Sequence, residues 1–152
     1  MLDLEALLVT LYAARTSDTG FSRGLVISGV QVAYALVTVA DERPCLAVVL
    51  VEDERVEEAR AGALRLLIGG VRTVLLVDPR QARAWYGHDD EGALSPLLPG
   101  GVIEDASLCE PLPAEAVLNS AAARTWSGER LYERTRRGLV RRWRYEKETE
   151  AA

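Results

Sequence analysis

Three stretches of this chain hold side chains that can do chemistry. Glu52, Asp53 and Glu54 follow directly on the apolar run Leu46 to Val51, and Asp78 closes a second apolar run, Val74 to Val77. Two strands ending side by side would bring these carboxylates to the sheet edge where parallel strands place ligands, and grouped carboxylates are the ligands Mg²⁺ takes. The same residues also have ordinary uses: Asp53 can cap a following helix, Asp78 can open a turn, and Glu52 and Glu54 are favoured in water near a helix N-terminus. The second stretch, His88-Asp89-Asp90, contains the only His of the chain. Gly87 and Gly92 around it mark a hairpin tip, and a catalytic zinc site needs three ligands in fixed geometry, so no metal is expected there. The third is Arg-rich: Arg130, Arg134, Arg136, Arg137, Arg141, Arg142 and Arg144 flank a stripe of Tyr132, Leu139 and Trp143 at helical spacing.

That third stretch has two readings. Arg134, Arg137, Arg141, Arg142 and Arg144, with Trp143 to stack on a base, could meet a nucleic acid. Alternatively Tyr132, Leu139 and Trp143 dock on the chain's own body or on a second subunit, giving a homo-oligomer. Charge favours docking. Residues 1–123 carry nine Arg against eighteen Asp and Glu, residues 124–144 eight Arg against two Glu, and residues 145–152 a net −2. A body that acidic repels a polyanion and attracts the Arg-rich stretch.

Several function classes have no support. Cys45 and Cys109 stand 64 positions apart with no second Cys or His at ligand spacing, so they are expected to be small buried apolar residues and not a zinc or redox pair. Gly69-Gly70 follows a helix instead of preceding one, so it is no phosphate loop. No apolar run approaches the roughly 20 residues of a membrane span, and Met1 is followed by Leu2-Asp3-Leu4-Glu5, with no basic stretch of a secretory signal. The expectation is a cytoplasmic protein with no cofactor and no membrane contact.

The elements that must hold these residues can be read from periodicity. Leu4, Leu7, Leu8, Leu11 and Tyr12 predict an amphipathic helix over 2–15, closed by the turn cluster Thr16 to Gly20. Residues 25–39 read as one or two strands broken near Ser28-Gly29, and 45–51, apolar and β-branched throughout, as a central strand buried on both faces. Asp53 is expected to cap a helix with Val56, Ala59, Ala63, Leu66 and Leu67 on one face, stopped by Gly69-Gly70. Strand 71–77 then turns at Asp78-Pro79-Arg80 into strand 82–86, followed by the loop His88 to Gly92, short strands near 93–97 and 102–103, a helix over 113–123 and a last helix over 129–148. Ser127-Gly128 is a hinge between an α/β domain, residues 1–123, and a C-terminal unit, residues 124–152.

Residues Arg43-Pro44-Cys45-Leu46-Ala47-Val48-Val49-Leu50-Val51, then a helix, then Gly70-Val71-Arg72-Thr73-Val74-Leu75-Leu76-Val77-Asp78-Pro79, together with Ser95-Pro96-Leu97-Leu98-Pro99-Gly100, resemble the Uma family of restriction-endonuclease-like proteins over roughly residues 25 to 120. The resemblance implies an α/β fold with a mixed sheet, a strand-helix-strand-hairpin core, and a metal-dependent nuclease site. In such nucleases two carboxylates on adjacent strands hold Mg²⁺, and a Lys steadies the attacking water and the charge growing on the phosphate. Here the family's Glu falls at Val49, its helical Lys near Gly62, and its first Asp around Ala33 to Ala35, in a stretch with no acid from Thr19 to Ala40. The only Lys is Lys147.

The expected function is therefore that of a catalytically degenerate nuclease fold kept as a structural or interaction module, homodimeric through Tyr132, Leu139 and Trp143. Two alternatives stand beside it: an Mg²⁺-dependent endonuclease with a relocated site at Glu52, Asp53 and Asp78, and a non-catalytic DNA-binding module using the Arg-rich helix.

Overall fold

The computed structural model describes Leu7, Thr10, Leu11, residues 18–105, Leu108 and residues 110–118. Its frame is a six-stranded mixed sheet with few helices. The strands are β1 (Thr19–Ile27), β2 (Val30–Thr38), β3 (Pro44–Leu50), β4 (Thr73–Asp78), β5 (Arg83–His88) and β6 (Ser95–Pro96), lying side by side in chain order. Helix α1 (Val56–Ile68) connects β3 to β4, the one parallel pair, and every other neighbouring pair is antiparallel. Two-residue strands β7 (Val102–Ile103) and β8 (Leu112–Pro113) form a separate small sheet before the short helix α2 (Ala114–Leu118).

The apolar run at 45–51 becomes β3, with Cys45 to Val49 all buried, and β4 is buried along its whole length. Alternation splits their side chains between two cores. Leu46, Val48, Leu75 and Val77 face a cluster that includes Leu7, Leu11, Leu36, Ile103, Leu112 and Val117. Ala47, Val49, Val74 and Leu76 face Ala63, Leu66 and Leu67 of α1. Leu7 and Leu11 are helical and fully buried, as the heptad-like spacing of the first residues predicts. Cys45 is buried too, its thiol donating to Leu36 O at 3.1 Å. Cys109 lies outside the described residues.

Four expectations need correction. Strand β1 starts at Thr19, inside what reads as a turn cluster, because its pairing with β2 runs out to Thr19↔Thr38 and buries Phe21. Strand β3 begins one residue before the 45–51 run, at Pro44, opposite Val37 where the register shifts, a bulge that tolerates a residue without an N–H. Asp53 does not cap α1: the N-cap position is Arg55, without a side-chain cap, while Asp53 and Glu54 take φ of 49° and 61°. The chain spends these two left-handed residues on reversing from β3 into α1, a conformation that acidic Asp accepts better than most side chains. His88 is the last residue of β5, not part of a loop. Gly87 ahead of it marks a close approach, since a Cβ there would lie 2.6 Å from the Ala93 carbonyl oxygen and 2.8 Å from Leu67 Cδ1.

In the β2–β3 turn the Thr38 hydroxyl donates to Asp41, and this bond holds the Asp41 carboxyl below its ordinary range. Its contribution is present at neutral pH and fades as pH falls through that titration.

Leu66 is fully buried between α1 and the sheet. Leu66→Ala should lower the unfolding free energy by about 2–5 kcal/mol, the usual cost of a buried Leu cavity, in a urea titration. A loss under about 1 kcal/mol would mean that α1 is not clamped on this sheet.

Candidate functional site

The β1–β2 hairpin turns through Ser28 and Gly29, both at positive φ as a type I′ turn requires. Farther down, Gly24 also has positive φ, between the pairs Arg23↔Tyr34 and Leu25↔Val32. Around this point the hairpin changes the face it presents. Tyr34 and Leu36 enter the first core, whereas Val30 and Val32 enter the core under α1. The hairpin tip thus curls over toward α1 and leaves a cleft of about 460 Å³ between them.

Its inner wall is small and apolar: Val30, Val32, Ala33, Val49, Ala59 and Gly62. Its rim carries Gln31, Glu52, Asp53, Arg55, Glu58 and Arg65. Arg55 and Glu58 form an ion pair at 3.8 Å, but both side chains are more than two-thirds exposed (68% and 75%), so the pair is worth little.

The positions at which the family resemblance looks for chemistry converge on this cleft. Val49 from β3, Gly62 from α1 and Ala33 from β2 all line it. Ala35 lies deeper, buried opposite Ala47 and facing α1. None of these side chains offers an oxygen, so the residues present do not fit the Mg²⁺ that the family chemistry uses. A Cβ on Gly62 would lie 3.1 Å from Val30 Cγ1, so Val30 would have to give by a few tenths of an ångström to admit a side chain there.

The relocated set is divided. Glu52 and Asp53 reach the cleft rim, but Asp78, nearly fully buried, binds Arg83 at 3.0 Å and accepts a longer bond from Gln81 N at 3.4 Å. Arg83 and Arg60 in turn each lie 5.2 Å from the ring centre of Trp85. Asp78 therefore opens the β4–β5 turn, as its neighbour Pro79 suggests, and anchors a cation–aromatic stack. Among the described residues no group of three or more His, Cys, Asp or Glu is gathered as a metal would require.

Sequence reasoning overlooked a second polar cluster. Thr73 Oγ1 lies 2.9 Å from His88 Nδ1 and donates to Asp105, whose other oxygen is 4.0 Å from Arg72. Thr73 and the Asp105 side chain are fully buried, so the hydroxyl is no accessible nucleophile; the cluster ties β4, β5 and the segment after β7 together. Its first half could be read from the turn: pairing Asp78 with Arg83 across a tight hairpin places Thr73 opposite His88. Asp105 arrives from 32 residues away, and no local pattern announces it.

Arg134, Arg137, Arg141, Arg142, Arg144, Tyr132, Leu139 and Trp143 lie outside the described residues. The chain matches no protein-family model. Nor does any curated protein match it.

Two variants test this description. Val49→Glu should cost several kcal/mol at neutral pH or hold its carboxyl well above the ordinary range. A carboxyl whose folded-state pKa is raised stabilises less as pH rises, so the deficit should shrink on acidification; melting curves at several pH values that show no deficit would mean a wet site. Thr73→Val, which keeps shape and removes the hydroxyl between His88 and Asp105, should cost about 1–3 kcal/mol in chemical unfolding.

Proposed function

We propose that the chain is a catalytically degenerate restriction-endonuclease-like domain that serves as a cytoplasmic structural or interaction module, with a second copy of itself as partner. Three things support this reading. The order β3, α1, β4, β5 is the strand-helix-strand-hairpin series that the Uma resemblance implies, with β3 and β4 parallel about the helix. The cleft between α1 and the β1–β2 hairpin holds Val49 and Gly62, two of the positions where the resemblance expects nuclease chemistry. The observation that carries the reading is the lining: hydrocarbon at Val49 and a bare backbone at Gly62, pressed against Val30, where phosphodiester cleavage needs a carboxylate and a Lys. Phosphoryl chemistry depends on charge placed against the reacting oxygens, and apolar groups supply none.

Among the described residues no helix is long and apolar enough to cross a membrane.

Purified protein should leave plasmid and single-stranded DNA uncut with Mg²⁺ or Mn²⁺ present. Cleavage abolished by EDTA and by Glu52→Gln together with Asp53→Asn would overturn the proposal in favour of the relocated site, since those two carboxylates share the cleft with Val49. Duplex binding that weakens steeply with salt and depends on Arg141 and Arg142, without cleavage, would favour the DNA-binding module.

A further inference from the structure

We propose that the cleft between α1 and the β1–β2 hairpin is the receptor for the Arg-rich segment 129–144 of a second copy of this chain, the two copies exchanging segments reciprocally. The inference rests on reading the cleft as a non-catalytic binding surface and names its occupant. Charge is the first argument. The cleft rim carries Glu52, Asp53 and Glu58 against Arg55 and Arg65, and Glu54 and Glu57 stand exposed beside it in the chain. Segment 129–144 answers with seven Arg against Glu129 and Glu133, the one strongly basic stretch in an otherwise acidic chain. Such complementarity steers encounter and fixes register more than it adds affinity, so the grip must come from apolar contact.

Apolar contact is available on both sides. The inner wall of Val30, Val32, Ala33, Val49, Ala59 and Gly62 is made of small groups, and its volume of about 460 Å³ matches the pockets that take ligand-sized aromatic bodies. Leu139 and Trp143 stand four residues apart in the sequence, beside Arg141, Arg142 and Arg144. A Trp pressed into such a pocket and ringed by Arg is the composition that dominates binding energy at interfaces. The place where the described chain ends favours the second copy. Helix α2 packs into the core on the sheet face away from α1, so the described chain ends at Leu118 on the face opposite to the cleft. The ten residues 119–128 span at most about 35 Å and give the segment the reach to a neighbour. Reciprocal exchange closes a two-fold pair and leaves no acceptor open for further growth.

Sedimentation velocity on the full chain tests this with two complementary charge reversals. The parent chain should be dimeric, with a dissociation constant that rises with salt. Glu52→Lys with Glu58→Lys, and separately Arg141→Glu with Arg142→Glu, should each raise that constant about tenfold or more, with melting of the exposed-site cleft variant unchanged. Mixing the two variants should restore dimers, because each reversed cleft then meets a reversed segment. Trp143→Ala should weaken the pair at least as much. A monomeric parent, a dimer indifferent to the cleft reversals, or variants that fail to complement would overturn the proposal. A monomeric parent destabilised by Trp143→Ala would overturn it specifically by placing the segment in its own molecule. DNA cleavage, read separately, bears on the loss of catalysis and leaves the pairing result standing.

Discussion

Strands β3 and β4 touch almost no water on either face, and they are the only parallel neighbours in the sheet. Parallel strands cannot be joined by a tight turn, so the chain has to leave the sheet and come back, and α1 is the crossover that does it. That crossover must also cover Ala47, Val49, Val74 and Leu76, which would otherwise face solvent. Much else follows from this burial. The hairpins β1–β2 and β4–β5 extend the sheet on either side, the first core closes the opposite face, and the cleft is the gap left where α1 meets the curled hairpin tip. The same constraint explains what occupies the cleft wall. A carboxylate on a strand buried from both sides is tolerated only with a cation or hydrogen bonds to hold it, whereas Val needs neither.

Polar groups that do lie inside this domain are committed to joining elements. Asp78 binds Arg83, which rests on Trp85; Thr73 bridges His88 and Asp105. None of these is presented to the cleft. The distribution is that of a structural interior: hydrogen-bonded acids at element ends, hydrocarbon along the strands, and exposed charge at the cleft rim.

The central elements were legible because their signals were strong and local. An unbroken β-branched run can be little else than a buried strand, and the face of Ala59, Ala63 and Leu66 fixes α1 within a residue or two. The start of β1 was not legible, since Thr19 and Gly20 read as turn formers and only pairing with β2 makes them a strand. Position 53 misled for a related reason: an Asp ahead of a helix is a good cap in isolation, but the geometry of the reversal put it in the left-handed region two residues too early. At the candidate site, the burial of Val49 could be read, because it sits inside the unbroken apolar run of β3. The cleft itself could not, because it depends on a change of face in the hairpin at Gly24, which no period in the sequence encodes.

The strands stand in the sheet in the order in which they occur in the chain. Each one therefore finds its neighbour already made, and no slot in the sheet waits for a segment synthesised much later. Apart from the α1 crossover, loop closure is short at every step, which keeps the entropic cost of each addition small. During synthesis the sheet can grow from one edge as the ribosome delivers it, with the exposed edge moving forward one strand at a time. The edge ends at β6, two residues long and containing Pro96, which offers a following chain almost nothing to pair with. Growth of the sheet thus ends by the composition of its last strand, a safeguard against the edge-to-edge aggregation that a sheet built by simple addition would otherwise invite.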